Sequence, residues 1–420
     1  MMKFKVINLI RLVIKNPFFS SSLVMVVGSN LYNLGQFVYH FLSGRFLGKV
    51  FYSDLAALIS ILGIVGIIQL AFGLTIVKYL SSHKEKKILA DFIKWVYGWS
   101  VKIALAVSLL TLLFSHSLAT FLNLQQPLSV YLLPPLLFFF IIATTGRSIL
   151  QGLLRFNSYV TSLIAESAVK IILAIIFILL GYALLGTVAA LVLSVVAAFL
   201  IVRYSVADYL RGGIDKKPNI LPLLKYSFFV FIQGLALTSM YSMDLLLVKH
   251  FFPPEEAGIY ASLAVLGRVV FFGASPITHV MFPVIARKHH LGEGYIKIFY
   301  LSLLLVTGFS LIVLLFYLFF PQLAIGLLYG TAYLVGSPIL WWFALFMAFL
   351  AVAMLITQFY LSIGKTKIIL LFLIAAIAQI ALIWFIHPDL LTVIQLSILT
   401  AALLDLCLIV YFFYLYFSKK

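Results

Sequence analysis

Charged side chains are scarce in this sequence. Asp, Glu, Lys and Arg make up 10% of its 420 residues, whereas they supply about a quarter of a typical soluble domain. Hydrophobic residues account for 64% of the chain, and its mean hydropathy is +1.19. The composition therefore excludes a soluble globular protein and predicts an integral membrane protein.

Cysteine is almost absent as well. The only one, Cys407, falls in the last apolar stretch of the chain. A single cysteine excludes an intrachain disulfide, and it suggests no thiol-based metal site.

Apolar runs of about 20 residues, the length that crosses a bilayer as a helix, recur along the whole chain. They predict an all-α integral membrane protein with twelve transmembrane helices. The basic start resembles the charged region of a signal peptide, but the apolar run after it is too long and lacks a small-residue cleavage site, so we expect a retained first helix. The predicted helices lie near residues 18 to 43, 55 to 77, 92 to 115, 128 to 146, 158 to 180, 183 to 202, 221 to 248, 257 to 283, 297 to 320, 335 to 362, 367 to 386 and 389 to 417.

Basic residues outnumber acidic ones by 29 to 12, which gives a net charge of +17. Most of them fall at the two termini and in the alternate loops after predicted helices 2, 4, 6, 8 and 10. This asymmetry is the positive-inside pattern, so we expect a multi-pass protein of the cytoplasmic membrane with both termini in the cytoplasm. Attraction to anionic lipid headgroups accounts for the charge, so we expect the lipid bilayer as a partner and no nucleic acid.

The most polar internal segment is DYLRGGIDKKPN, at residues 208 to 219, with six predicted helices on either side. It predicts a linker between an N-terminal six-helix lobe, residues 1 to 210, and a C-terminal six-helix lobe, residues 211 to 420. An even number of spans per lobe gives both lobes the same orientation, as in parallel-repeat transporters. A weak internal echo between residues 46 to 63 and residues 251 to 267 supports the repeat.

The loops on the predicted outer side are short, and none is long enough to fold as a domain. The acids there form no paired-carboxylate or nucleophile arrangement. Glu255 follows two prolines, a pattern typical of a helix start. We therefore expect no enzyme, and we see no motif for a catalytic site, a metal or a cofactor among Asp54, Glu255, Glu256 and Asp389.

Polar side chains recur along the first predicted helix. At about 100° per residue, they share one narrow arc, opposite an apolar arc that holds Val24, Val27, Leu34 and Val38. The pattern predicts a helix that borders water on one side and lipid on the other. His40 is either a proton carrier or a hydrogen-bonded packing residue. The polar stripe is Ser22, Ser29, Asn33, Gln36 and His40.

Six ionisable residues fall inside predicted spans, where each costs on the order of 2.5 to 3.5 kcal/mol. Glu166 and Lys170 are four apart in the orientation that favours a helix pair; they form a structural ion pair or also line the pathway together with Ser162. We expect Asp405 to be the buried partner of a cation. Lys102 is either cavity-lining or ion-paired. The six are Lys102, Glu166, Lys170, Asp244, Arg268 and Asp405.

Arg268 lies near mid-membrane on a helix face that also carries Ala261, Ala264 and Ser275. A guanidinium suits phosphate oxygens because it presents several donors in a fixed geometry; the alternative is a buried salt bridge to Glu166, Asp244 or Asp405. Asp244 shares its helix face with Gln233, so helix 7 repeats the polar stripe at lower polarity. The candidate cavity residues are Ser29, Asn33, Gln36, His40, Lys102, Glu166, Lys170, Gln233, Asp244 and Arg268.

Three segments carry a resemblance to a known family. They are SGRFLGKVFYSDLAALISILG, LLRFNSYVTSLIAESAVKIILAIIFILLGYALLG and MDLLLVKHFFPPEEAGIYASLAVLGRVVFF. The sequence resembles the lipid-linked oligosaccharide flippases of the multidrug/oligosaccharidyl-lipid/polysaccharide exporter superfamily. A departure is Ser53-Asp54, where the family more often has glycine after the aromatic residue.

The resemblance implies two six-helix bundles around a central cavity and alternating access that exports a polyprenyl-diphosphate-linked glycan for polysaccharide biosynthesis. It also implies a glycan polymerase or glycosyltransferases as partners. One alternative is a multidrug cation antiporter on the same fold, which needs cavity carboxylates, and helix 1 has none. Another is a membrane scaffold for glycan assembly, which needs no polar stripe through the bilayer.

Overall fold

The computed structural model describes residues 17–83, 85–211 and 221–417. The basic segment before residue 17, residues 212–219 of the predicted linker, the final lysines and the side chain of Ser22 lie outside this description. Within it the chain is helical, with no strand. The α-helices are α1 Pro17–Ser82, α2 Lys86–Leu113, α3 Ser115–Phe121, α4 Leu133–Gly152, α5 Phe156–Leu179, α6 Ala183–Ser205, α7 Leu221–Phe251, α8 Pro254–His290, α9 Ile296–Phe319, α10 Pro321–Leu328, α11 Leu340–Ser362, α12 Ile369–Phe385 and α13 Leu390–Phe417.

Helix α1 has 66 residues and contains a break at Gly48, whose φ and ψ are 73° and 171°. A positive φ is open to glycine without the steric cost that a Cβ brings. The break divides α1 into a first arm before Gly48 and a second arm after it. Because 66 helical residues would extend about 99 Å against a bilayer core of about 30 Å, the two arms are separate spans.

Eleven segments of the described chain are long and apolar enough to cross a membrane, and the first of them, Val27–Ile67, contains the Gly48 break. Counted as two arms, that segment brings the spans to the predicted twelve. The fold class, an all-α multi-pass membrane protein, is confirmed. Large apolar side chains on the outer faces of the spans, such as Leu179, Ile312 and Phe385, are exposed, as expected for helices that contact lipid.

Two short helices were not predicted, α3 with seven residues and α10 with eight. Each follows a full-length span and is succeeded by a 3₁₀ helix, Pro127–Leu132 in the first half and Thr331–Ile339 in the second. The order of long helix, short helix, 3₁₀ helix and long helix is therefore the same in both halves of the chain. This match of element order supports the predicted internal repeat.

The chain divides into two compact units. Unit 1 comprises Met1–Ser43, Ile68–Leu118 and Gln126–Ser227; unit 2 comprises Gly44–Ile67, Ala119–Gln125 and Phe228–Lys420. Unit 1 has an apolar core that includes Phe92, Ile149 and Val202. In unit 2 the core is built on Tyr260, Phe343 and many aliphatic side chains. The predicted division into lobes at residues 210 and 211 stays a prediction.

Candidate functional site

The first cluster lies in unit 1, where α4 and α5 form a hairpin through the turn at Leu153–Arg155. Arg147 on α4 reaches Glu166 on α5, with Nη2 2.6 Å from Oε2, and both side chains are buried. The guanidinium also donates to Ser162, from Nε to the hydroxyl and from Nη2 to the carbonyl oxygen, at 2.9 Å each. The hydroxyl of Tyr32 on the first arm of α1 donates to Glu166 Oε1 at 2.9 Å. We call these four side chains the Arg147 cluster.

The ion pair expected between Glu166 and Lys170 is wrong. Glu166 takes Arg147 as its partner, because Arg147 on the facing helix reaches its carboxylate at 2.6 Å, whereas Lys170, one turn along the same helix, points to Gln36. The predicted helix 4 ends at residue 146, so the sequence places Arg147 in the loop after it. The structure places it inside α4, 6% exposed.

Lys170 is almost fully buried and has neutral partners. Its Nζ donates to the side-chain oxygen of Gln36 and lies 4.9 Å from the ring centroid of Tyr39, a cation–π arrangement. The Tyr39 hydroxyl in turn donates to the carbonyl of Thr187 at 3.0 Å. The first arm of α1 therefore delivers an amide and an aromatic face to a buried ammonium group.

The other members of the polar stripe flank this contact. Gly28, Gly35 and Tyr39 form the buried face of the first arm, while Ser29, Gln36 and His40 are half-buried and Asn33 is exposed. The apolar side chains Val27 and Leu34, on the opposite arc, are 49% and 57% exposed. The stripe thus lies beside the packing face of the first arm, and its contact with water stays a prediction.

Lys102 lies apart from the Arg147 cluster. It is exposed on α2, with Nζ 5.0 Å from the ring centroid of Trp99, and no carboxylate of the described residues is within ion-pair distance of it. Trp99 also borders a cavity of about 290 Å³ lined mainly by aromatic and aliphatic groups. The ion-paired alternative for Lys102 is therefore not supported.

A second cluster lies in unit 2, around Arg268 on α8. The guanidinium is half-buried; Nη2 donates to the carbonyl of Tyr241 at 2.7 Å, and Cζ lies 5.5 Å from the ring centroid of the same residue. Its Nε is buried and makes no hydrogen bond to any described residue. Neither Asp244 nor Asp405 is within ion-pair distance in the described part of the chain, so the alternative of a buried salt bridge to one of them is not supported. Asp244 instead accepts a hydrogen bond from Tyr260 at 2.8 Å.

Gln233, the remaining candidate in unit 2, is buried on α7. Its amide nitrogen makes no hydrogen bond within the described residues. Gln233 and Arg268 thus each hold a buried donor that has no hydrogen-bond partner among the described residues.

A third feature, also within unit 2, ties the region after Gly48 to α7. Lys249 Nζ lies 2.6 Å from Asp54 Oδ1 with both side chains fully buried, and it donates to the Ser53 hydroxyl at 3.0 Å. The other oxygen of Asp54 accepts the backbone N–H of Gln125 at 2.8 Å. We call this the Asp54–Lys249 clasp. It uses Ser53 and Asp54, the two residues at which the sequence departs from the family pattern.

Three tyrosines support the clasp. The hydroxyls of Tyr52 and Tyr329 are 3.1 Å apart, and Tyr333 donates to the carbonyl of Gly44 at 2.8 Å. Burial raises the pKa of the Tyr329 hydroxyl well above its usual range, so it remains neutral and able to donate. The tyrosines therefore reinforce the same connection that the ion pair makes.

Among the described glycines, Gly258 on α8 is the one that another segment of backbone approaches most closely. A Cβ built on this residue would lie 2.1 Å from the carbonyl oxygen of Lys49, a distance that no side chain can occupy. Lys49 also lies 3.7 Å from Glu255 through its Nζ. Glycine at position 258 is required by this approach, which explains its place in the PPEEAGIY segment.

Membrane-length helices that hold cations, carboxylates and amides at depth define an integral membrane protein with candidate functional residues inside its spans. A family model described as "Polysaccharide biosynthesis protein" matches residues 19–289. The chain belongs to this family of polysaccharide biosynthesis proteins. The solved structures that it resembles include a transporter and a flippase.

Three individual proteins are similar to it. The "Uncharacterized membrane protein MJ1375" of Methanocaldococcus jannaschii is 25% identical over 377 residues, covering 82% of this chain and 85% of that protein. A multidrug resistance MATE family transporter of the MOP superfamily matches with a TM-score of 0.77 at 15% identity, covering 93% and 96% of the two chains. The lipid II flippase MurJ matches with a TM-score of 0.70 at 16% identity, covering 95% and 88%. The two structural matches show that the fold is that of the MOP superfamily.

Proposed function

We propose that this chain moves a polyprenyl-diphosphate-linked oligosaccharide across the cytoplasmic membrane by alternating access, as a step in cell-surface polysaccharide biosynthesis. The observation that carries the proposal is the sign of the charge inside the helices. Among the described residues, Lys170 in unit 1 and Arg268 in unit 2 have only neutral hydrogen-bond and ring partners, and no carboxylate lies within ion-pair distance of either. Cations at membrane depth are retained where they line a pathway or meet an anion, and a diphosphate supplies that anion.

Arg268 fits the diphosphate through its geometry. One nitrogen of the guanidinium is held by the Tyr241 carbonyl, which orients the plane, while Nε has no partner in the described chain. A planar guanidinium oriented in this way can present a forked pair of donors to phosphate oxygens. Gln233 adds an unused amide nitrogen in the same unit.

The polar stripe of the first arm fits the sugar portion. Ser29, Asn33, Gln36 and His40 offer hydroxyl, amide and imidazole groups, which suit the many hydroxyls of a glycan. The polyprenyl tail stays in the lipid while the glycan crosses the membrane. Glycosyltransferases or a glycan polymerase supply or consume the cargo.

The Asp54–Lys249 clasp is the outer closure of the transport cycle. Both residues lie at the predicted outer ends of their helices, and both termini are cytoplasmic in this topology. Removing one partner of a buried ion pair is costly, because the other charge then stays buried without compensation.

A multidrug cation antiporter on the same fold is the rival function. Cation binding needs available carboxylates, and within the described residues Asp244 and Asp405 have no cation at ion-pair distance, whereas Glu166 is neutralised by Arg147 and Asp54 by Lys249. The pairing of Glu166 and Asp54 favours an anionic cargo. The scaffold alternative gives no role to the buried donors of Arg268 and Gln233 that have no partner in the described chain.

Binding of a polyprenyl-diphosphate-linked oligosaccharide to purified variants tests the proposal. Arg268→Ala should weaken binding about 10- to 150-fold, because hydrogen bonds to a charged group contribute about 1.5 to 3 kcal/mol. Arg268→Lys should recover part of the loss, since an ammonium keeps the charge but not the fork. The matched control is Arg287→Ala, an exposed arginine in the last turn of the same helix, which should bind like the wild type.

The uncharged polyprenol is the control ligand, because it lacks the diphosphate. It should bind weakly to the wild type and to all three variants. Equal binding of the diphosphate by wild type and Arg268→Ala would exclude a diphosphate role for Arg268. Tighter binding of a lipophilic organic cation than of the diphosphate would favour the antiporter.

A further inference from the structure

Asp405 is a carboxyl group in the middle of a membrane span. It is the sixteenth residue of the 28-residue helix α13, about 22 Å from the start and about 18 Å from the end at 1.5 Å per residue. The residue is 5% exposed. Neither carboxylate oxygen has a hydrogen-bond partner among the described residues, so the cation that the sequence led us to expect is not there.

The helices packed against α13 explain why no cation is present. Helices α11 and α12 pack along it, and neither contains a lysine, an arginine or a histidine. Helix α9 contacts α13 about two turns away, through Phe299 and Phe412, and its only basic residue, Lys297, is exposed in its first turn. Lys367 lies at the inner end, in the 3₁₀ helix before α12.

The other titratable side chains near Asp405 are tyrosines and a cysteine, which carry no positive charge in either protonation state. Tyr360 on α11 donates its hydroxyl to the carbonyl of Leu408, at 2.8 Å, one turn beyond Asp405. On α13 itself, Cys407 is exposed and Tyr411 packs on the Tyr360 ring. Tyr300, on α9, contacts Phe412. None of these groups can balance a negative charge on Asp405.

A second buried oxygen without a partner lies at the same level. Helices α11 and α13 are separated by one antiparallel span, so they run in the same direction, and the Tyr360–Leu408 contact sets their register. Thr357, one turn before Tyr360, is therefore level with Asp405, one turn before Leu408. The Thr357 hydroxyl is fully buried and makes no hydrogen bond within the described chain. Two buried polar groups without partners in the described chain thus share one depth of this helix pair.

We infer that Asp405 is a proton-binding site and that transport by this protein is coupled to protons. An unpaired carboxylate in a low-dielectric interior takes up a proton rather than remain charged, so Asp405 is a neutral acid in the conformation described. When the surroundings of α13 open to water in the other conformation, the acid releases the proton and becomes a carboxylate. No other bond changes. The coupling rests on the proposed transport function, whereas the protonation does not.

Dicyclohexylcarbodiimide tests the protonation directly, because this apolar reagent reacts with protonated carboxyls in apolar surroundings and leaves a stable acylurea. The full chain in lipid nanodiscs should be modified at Asp405, with peptide mapping by mass spectrometry as the readout. Modification should fall about tenfold per pH unit once the acid ionises. Glu166 and Asp54, buried beside cations, are internal controls and should stay unmodified. An Asp405 that stays unmodified from pH 5 to 9 would overturn the inference.

Asp405→Asn tests the coupling. The amide imitates the neutral acid in size and charge, so the variant should melt at the wild-type temperature; a large loss of stability would indicate an ionised, paired Asp405 and contradict the inference. In proteoliposomes that contain the lipid-linked oligosaccharide, a pH gradient should raise the wild-type translocation rate severalfold and leave that of Asp405→Asn unchanged. An equal response of the two proteins would overturn the coupling. If neither protein moves the glycan, the proposed function fails, and the carbodiimide result still decides whether Asp405 holds a proton.

Discussion

Replacing Lys249 by methionine removes one charge of the Asp54–Lys249 clasp and keeps a side chain of similar length. Both partners are fully buried, and Nζ lies 2.6 Å from Oδ1. Asp54 retains the backbone N–H of Gln125 but loses its cation. Breaking a buried pair from one side costs about 3 to 5 kcal/mol, because the remaining charge stays buried. Lys249→Met should therefore destabilise the closed clasp by that amount.

If the clasp opens during transport, the same loss of free energy also changes the ratio of closed to open forms. A penalty of about 3 to 5 kcal/mol on the closed form shifts the population toward open forms roughly 150- to 5,000-fold. Ala57, one turn after Asp54 and fully buried, supplies the reporter position. Ala57→Cys in a Cys407→Ala background should react slowly with a water-soluble maleimide, and Lys249→Met should accelerate the reaction.

The matched control breaks an exposed pair. Lys288 and Glu293 are also 2.6 Å apart, but their side chains are 33% and 52% exposed, and such pairs contribute about 0 to 1 kcal/mol. Lys288→Met should leave both the melting temperature and the maleimide reaction unchanged. The double variant Asp54→Asn with Lys249→Met should recover most of the stability lost in each single variant. Single losses that add in the double variant, or a Lys249→Met protein that behaves like Lys288→Met, would refute the reasoning.

Two further predictions concern topology and the polar stripe. Reporter fusions at both termini and within residues 212–219 should all report the cytoplasmic side, and an externally accessible linker would reverse the proposed direction of transport. In a Cys407→Ala background, single cysteines at Ser29, Asn33, Gln36 and His40 should react with a membrane-impermeant maleimide, while cysteines at Leu34 and Val38 should not, because Leu34 is exposed toward lipid. Uniform protection of the stripe would mean that it is packed against protein in every state.

Hydrophobic length was enough to predict the spans. All twelve predicted segments overlap helices of the structure because a run of about 20 apolar residues has few stable alternatives in a bilayer. The helices α3 and α10 were missed because seven or eight residues carry too little periodicity to separate them from a loop. The Gly48 break was visible only as the aromatic, glycine-containing turn between two apolar runs.

The charged contacts were harder to predict than the spans, because a partner on another helix leaves no local pattern in the sequence. Arg147 had a usable signal: Arg147 and Ser162 lie seven and eight residues on either side of Leu154, the centre of the α4–α5 turn, so an antiparallel hairpin brings them together. Asp54 and Lys249 had no such signal, since 195 residues of chain separate them. Lys170 was correctly identified as a mid-membrane charge, but its contact with Gln36 required the packing of α1 against α5.

The candidate residues of unit 2 show a related limit. Spacing placed Asp244, Gln233 and Arg268 within spans, and the structure keeps them there. The sequence spacing did not reveal that Tyr260 holds Asp244 and that the Tyr241 carbonyl holds Arg268. Backbone acceptors and aromatic hydroxyls are common, so they carry little information in a sequence. Asp405 shows the converse, since the absence of a cation is evident only when the neighbouring helices are known.

Translocation by the purified wild-type protein tests the central claim most directly. Proteoliposomes are prepared with a fluorescent polyprenyl-diphosphate-linked oligosaccharide in both leaflets, and an impermeant glycosidase is added outside. Vesicles with this protein should expose nearly all of the glycan to the enzyme, whereas protein-free vesicles should expose about half. Arg287→Ala should behave as the wild type and Arg268→Ala as the protein-free vesicles. A wild-type protein that leaves half of the glycan protected, while it exports an organic cation from the same vesicles, would contradict the proposed function.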